Sequence, residues 1–173
     1  MAFTPVERMQ LKNAVERILH VPGNYSGAAL EMAMVFDGNL SEEYRKQLAK
    51  EIASLLKSHS ETFRNVRLNL ILWEGDGGFR KELSSLPGLQ MGRCFPGCSS
   101  VQRRKRIELL TEDLKKFYAR SKLIMLFTDG DFYVENKDRM KESMQPFLYR
   151  KMMAVYCEGE RIRVSSGVEL LNS

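Results

Sequence analysis

Two short stretches gather oxygen-bearing side chains where an α/β protein places its chemistry. Asp37-Gly38-Asn39-Leu40-Ser41 follows one apolar run, and Thr128-Asp129-Gly130 follows another. In open α/β sheets, sites lie beyond the carboxyl ends of the strands, where the strand order switches. If the two runs are parallel neighbours, their carboxylates meet at one edge. Each residue also has an ordinary structural use. Ser41 is placed to cap a helix N-terminus, and Asp37 and Asp129 are of a type common in turns.

Other constellations carry less. Arg103-Arg104-Lys105-Arg106 is the densest basic run. Four consecutive helical residues spread around the axis, so it reads as a solvated helix start rather than a nucleic-acid patch. Cys94, Cys98 and Cys157, with His20 and His59, lack the paired short spacings of a zinc site. They read as buried or incidental thiols and helix-end histidines. No glycine-rich phosphate loop of either common kind is present, which sets nucleotide binding aside.

The chain has 173 residues, the size of one domain with a short appendage. Its hydrophobic content of 43% excludes a disordered chain. Its longest apolar runs fall far short of the roughly 20 residues of a membrane span. With 27 basic and 22 acidic side chains it is mildly basic, at +5. That charge permits acidic partners without requiring nucleic acid. Three cysteines and the absence of a signal-like start point to a reducing, cytoplasmic setting.

The elements that must position these residues follow from periodicity and punctuation. Thr4-Pro5-Val6-Glu7 reads as a capping box opening a helix with Leu11, Val15, Ile18 and Leu19 on one face, ended by Val21-Pro22-Gly23-Asn24. Ala28 to Phe36 reads as a strand buried on both faces. Ser41 caps a second helix with Tyr44, Leu48, Ile52, Leu55 and Leu56 buried. Val66 to Trp73 and Phe79 to Leu86 form an antiparallel pair across the turn 74–78. A long helix is expected from about Ser100, with its apolar positions at Ile107, Leu110, Leu114, Phe117 and Tyr118. Strands follow at Lys122 to Phe127, Met152 to Cys157 and Ile162 to Val164, with a helix after Asn136 that Pro146 kinks. Met32, Met34, Met125, Met152 and Met153 fall in strands and read as core. Trp73 reads as core that could line a cleft. Alternating strands and helices predict a three-layer α/β/α sandwich, Rossmann-like, with a mostly parallel sheet and one antiparallel edge strand.

This order of elements, with Asp37-x-Asn39-x-Ser41 after the first strand and Thr128-Asp129-Gly130 after a later one, resembles the von Willebrand factor type A domain. The resemblance covers nearly the whole chain after about residue 27. It divides the chain into an N-terminal helical extension, 1–24, and a type A-like domain, 25–173. It implies a metal-ion-dependent adhesion site holding Mg²⁺, or Mn²⁺ or Ca²⁺, through Asp37, Asn39, Ser41 and Asp129, hard oxygen donors of the kind such ions take. Asn39 stands where the family has Ser. The family's Thr, in the loop before a later helix, has no counterpart, and Ser99 or Ser100 would supply that hydroxyl.

The function so implied is a protein–protein interaction module, not an enzyme. It would dock an acidic group of a protein partner on the ion, with no role for nucleic acid or membrane. Two alternatives stand beside it. One is a metal-free scaffold subunit of the same fold. The other rests on Phe36-Asp37-Gly38-Asn39, which is similar to the nucleophile loop of haloacid-dehalogenase-like phosphatases. There Asn39 replaces the proton-transferring Asp.

Overall fold

Burial on both faces of one strand sets the architecture. The structure is a computed structural model, and it describes residues 3–19, 30–57, 66–93, 95, 101–147, 152–159 and 161–166. Strand β1 spans Leu30–Asp37, and every side chain from Met32 to Phe36 is fully buried. A strand so enclosed needs a layer on each side.

The main sheet holds six strands. Beside β1 lie β2 (Val66–Trp73) and β3 (Phe79–Ser84) on one side. On the other lie β5 (Leu123–Thr128), β7 (Met152–Glu158) and β8 (Arg161–Ser166), giving the order β3-β2-β1-β5-β7-β8. The four central strands are parallel, while β3 and β8 run antiparallel to their neighbours. The three-layer α/β/α class therefore holds, with an antiparallel strand at each edge rather than at one. Two residues separate β7 from β8, too few for a crossover, so β8 can only fold back on β7.

One face carries α1 (Pro5–Leu19), α2 (Glu42–Lys57) and α3 (Leu86–Gln90). Their Leu11, Val15, Leu48, Ile52, Leu56 and Leu89 pack on Met32, Met34, Phe36, Leu70 and Phe127. The opposite face carries α4 (Ile107–Tyr118) and α5 (Lys137–Met144). Ile107, Leu110, Leu114, Met140 and Met144 there meet Ala33, Val35, Ile71, Trp73 and Ile124. The alternation of strand residues between the two cores is the two-residue period of the pleat. All five strand methionines are buried.

The capping box at α1 forms as read. Glu7 N–H donates to Thr4 Oγ1 at 3.2 Å, and Thr4 N–H donates to Glu7 Oε1 at 2.9 Å. The second Glu7 oxygen accepts from Ile162 N–H at 2.6 Å, which ties α1 to β8. Burial opposes the charged form of Glu7. The hydrogen bonds from Thr4 and Ile162, with Arg161 nearby, outweigh it and hold the carboxyl below its ordinary range.

Two expectations change: the start of the long helix, and the third strand, which ends at Ser84 with Leu86 already in α3. The long helix begins at Ile107, not near Ser100, and residues 101–104 are not helical. Lys105–Arg106 form a short strand, β4, parallel to β6 (Phe132–Tyr133). Arg106 N–H is held by Asp76 Oδ1 at 2.7 Å, and Gln102 N–H by Glu74 O at 3.0 Å. Bonds to the 74–78 turn thus keep this stretch extended. Phe117 is 56% exposed, with the Lys81 ammonium 3.9 Å from its ring centre. Pro146 falls in a 3₁₀ turn, Gln145–Phe147, that continues α5. Ala28, the 21–24 stop signal and the boundary at residue 24 lie outside the described residues.

Candidate functional site

The strand order reverses direction between β1 and β5. From β1 the chain proceeds to β2 on one side, and from β5 to β7 on the other. The register pairs Phe36 with Phe127, so Asp37 and Thr128 emerge side by side at the carboxyl edge. This is the switch point at which sites form in such sheets.

Asp37 is fully buried and every carboxylate oxygen is engaged. Oδ1 accepts from Lys105 Nζ at 2.6 Å and from Asn39 N–H at 2.9 Å. Oδ2 accepts from the Thr128 hydroxyl at 2.7 Å. Thr128 Oγ1 in turn accepts from Gly130 N–H at 3.0 Å, which fixes the second loop. Burial pushes the Asp37 carboxyl above its ordinary range, with Lys105, Asn39 N–H and Thr128 pulling against that shift.

Lys105 is the residue that sequence reasoning missed. Its side chain has no exposure, although it sits in a run read as a solvated helix start. An ammonium has three donors, and three acceptors meet it: Asp37 Oδ1, Gln102 O at 3.0 Å and Asn39 Oδ1 at 3.3 Å. The Trp73 ring centre lies 5.0 Å away, so an aromatic face backs the charge. Trp73 is fully buried, which makes it the wall behind Lys105 and not a cleft lining. No local signal in the sequence pointed here.

The other expected residues divide. Asn39 joins the cluster, donating from Nδ2 to Arg103 O at 2.8 Å and to Asp129 Oδ1 at 3.2 Å. Asp129 Oδ1 also accepts from Asp131 N–H at 3.0 Å. Ser41 does not join it. Its Oγ accepts from Tyr44 N–H at 3.2 Å, the helix-cap role. Ser99 and Ser100 lie outside the described residues, as do Cys94, Cys98, His20 and His59. Cys157 is buried near the carboxyl end of β7, where burial pushes its thiol up to about 12.

A second buried cation braces the first loop. Arg45 on α2 donates to Leu40 O and, at 3.2 Å, to Phe95 O. Gly38 presses its N–H against Trp73 O at 2.9 Å, and a β-carbon there would come within 3.0 Å of that oxygen. The 37–41 loop is therefore held from three sides.

As arranged among the described residues, the expected donors of the 37–41 loop are engaged by protein groups. Both Asp37 oxygens are satisfied, Asn39 Oδ1 faces an ammonium, and Ser41 Oγ is spent on the helix cap. A divalent ion placed there would meet the Lys105 charge at low dielectric. Among the described residues no group of three His, Cys, Asp or Glu side chains could hold a metal.

Fold and centre together define a doubly wound α/β protein with a buried carboxylate–ammonium pair at its switch point. No protein-family model matches the sequence, and no curated protein is significantly similar to it. Among the described residues, no helix is long and apolar enough to cross a membrane.

Proposed function

We propose that this chain is a metal-independent protein-interaction module resembling the type A domain, in which the Lys105 ammonium takes the place of the divalent ion. The observation that carries the reading is the 2.6 Å contact between Lys105 Nζ and Asp37 Oδ1 at zero exposure of both side chains. A fixed positive charge there holds Asp37, Asn39 and, through Asn39, Asp129 in one arrangement. It leaves no open coordination position for a partner's carboxylate.

An acidic group of a partner is instead met at the rim. The Arg103 side chain is 72% exposed above the cluster, 3.9 Å from Asp131. Arg104 is exposed and stacks over Tyr133 at 5.3 Å. Exposed cations of this kind steer association and set specificity more than they add affinity.

The reading excludes turnover at Asp37. A nucleophile must face its substrate, and this carboxylate is enclosed by Lys105, Thr128 and Asn39. Thermal unfolding with about 10 mM Mg²⁺ or Mn²⁺, against chelator, tests the proposal. A ligand that binds only the folded state raises its stability, so the account expects no shift. A rise that Asp37→Asn removes would restore the metal clamp. Hydrolysis of a generic phosphate ester lost in Asp37→Asn would favour the phosphatase alternative.

A further inference from the structure

A second surface lies away from the Asp37 cluster, on the outer side of the α1/α2 layer. Helix α1 presents Pro5, Arg8, Met9 and Lys12, and α2 presents Gln47, Lys50, Glu51 and Leu55. Both sets follow the three- and four-residue spacing of one helical face. Between them runs an open groove of about 690 Å³ floored by Phe3 and Leu11. That volume is within the range of sites that hold a bound ligand or inserted side chains.

Met9 is 62% exposed on the lip of the groove and Val6, on the same helix, 67% exposed. Met9 thus adds exposed apolar surface at the lip. Charge then states what kind of partner. Arg8 spans the groove to Glu51, with contacts of 3.1 and 2.9 Å, so these two charges cancel. Lys12 and Lys50 remain, and among the described residues neither has an acidic partner within ion-pair distance. The groove has an apolar floor with Met9 and Leu55 at its sides, and its rim is net positive.

We infer that the α1/α2 groove docks an acidic amphipathic helix of a partner protein. The partner's apolar side chains, at i, i+3 or i+4, and i+7, enter between Met9 and Leu55, and its flanking carboxylates meet Lys12 and Lys50. The inference does not depend on the Asp37 centre, since none of the groove residues touches it.

The test uses the full chain and a synthetic amphipathic helix bearing Leu at i, i+3 or i+4, and i+7, flanked by Glu. A Lys-flanked version and a scrambled version of the same composition serve as comparisons. Binding is read by fluorescence anisotropy, and its location by amide shifts. The expected result is saturable binding of the Glu-flanked helix alone, with shifts on α1 and α2. Lys12→Glu with Lys50→Glu should weaken it at least tenfold, and Met9→Asp should remove it while the melting temperature holds. Three results would overturn the inference. They are no binding of the Glu-flanked helix, equal binding of the scrambled peptide, or concentration-dependent self-association that Met9→Asp abolishes. The last would make a second copy of this chain the occupant.

Discussion

Lys105 Nζ lies 2.6 Å from Asp37 Oδ1, and neither side chain reaches solvent. The two residues are 68 positions apart and come from different elements, β4 and the end of β1. Their contact therefore joins the turn-anchored 101–106 stretch to the centre of the sheet. A buried pair is costly to break because the surviving charge keeps its desolvation penalty.

Removing one partner should therefore hurt more than removing both. Lys105→Met is expected to lose about 3–5 kcal/mol of unfolding free energy. The double variant Asp37→Asn with Lys105→Met should recover much of that, because the uncharged amide introduced by Asp37→Asn can still accept from Thr128. Urea unfolding of the two singles and the double measures the coupling. Additive losses would show that the pair is not the unit of stability.

The carboxyl of Glu7 supplies a pH signature. Its folded-state value lies below the unfolded one. Its contribution is thus present above the unfolded value and is lost as pH falls through the folded value. Glu7→Gln should flatten the stability profile on the acid side of the ordinary carboxylate range. Denaturation midpoints across pH 3 to 6, about the carboxylate titration range, check this. An unchanged acid-side slope in Glu7→Gln would count against the α1–β8 tie.

The Cys157 thiol, raised to about 12 by burial, should be inert in the folded protein. In a Cys94→Ser, Cys98→Ser background at about pH 8, thiolate depletion alone predicts alkylation on the order of a thousandfold slower than in denaturant. Mass spectrometry of iodoacetamide-treated protein gives both rates. Comparable rates would place the thiol in contact with solvent.

The approach of Gly38 to Trp73 is equally testable. An added β-carbon would stand 3.0 Å from Trp73 O and 3.1 Å from Val101 Cγ1. The oxygen is backbone and cannot swing aside. Gly38→Ala should cost about 1–3 kcal/mol, as overpacking does. Chemical denaturation measures it, and a neutral substitution would mean that the 37–41 loop yields.

The sequence was most readable where signals are local. The capping box at Thr4 and Glu7, the doubly buried β1 and the Asp-Gly and Thr-Asp-Gly strand ends depend on neighbours within a few residues. The α/β sandwich followed from them. Lys105 was not readable, because its burial depends on Asp37, 68 residues away, and on pairing with Phe132. Within four consecutive basic residues, no local pattern distinguishes the one that turns inward. Arg45 is hidden for the same reason. It sits among the polar residues of α2, and its partners Leu40 O and Phe95 O are backbone groups of loops.

The central claim, that a lysine holds the place a divalent ion would take, is tested most directly by titrating Mn²⁺ into ¹⁵N-labelled wild-type protein. A bound paramagnetic ion would broaden the amides nearest the Asp37 cluster. The account predicts that the Asn39, Gly130 and Asp131 signals stay sharp while exposed acidic sites broaden weakly and uniformly. Selective broadening of those three amides, abolished by Asp37→Asn, would contradict it.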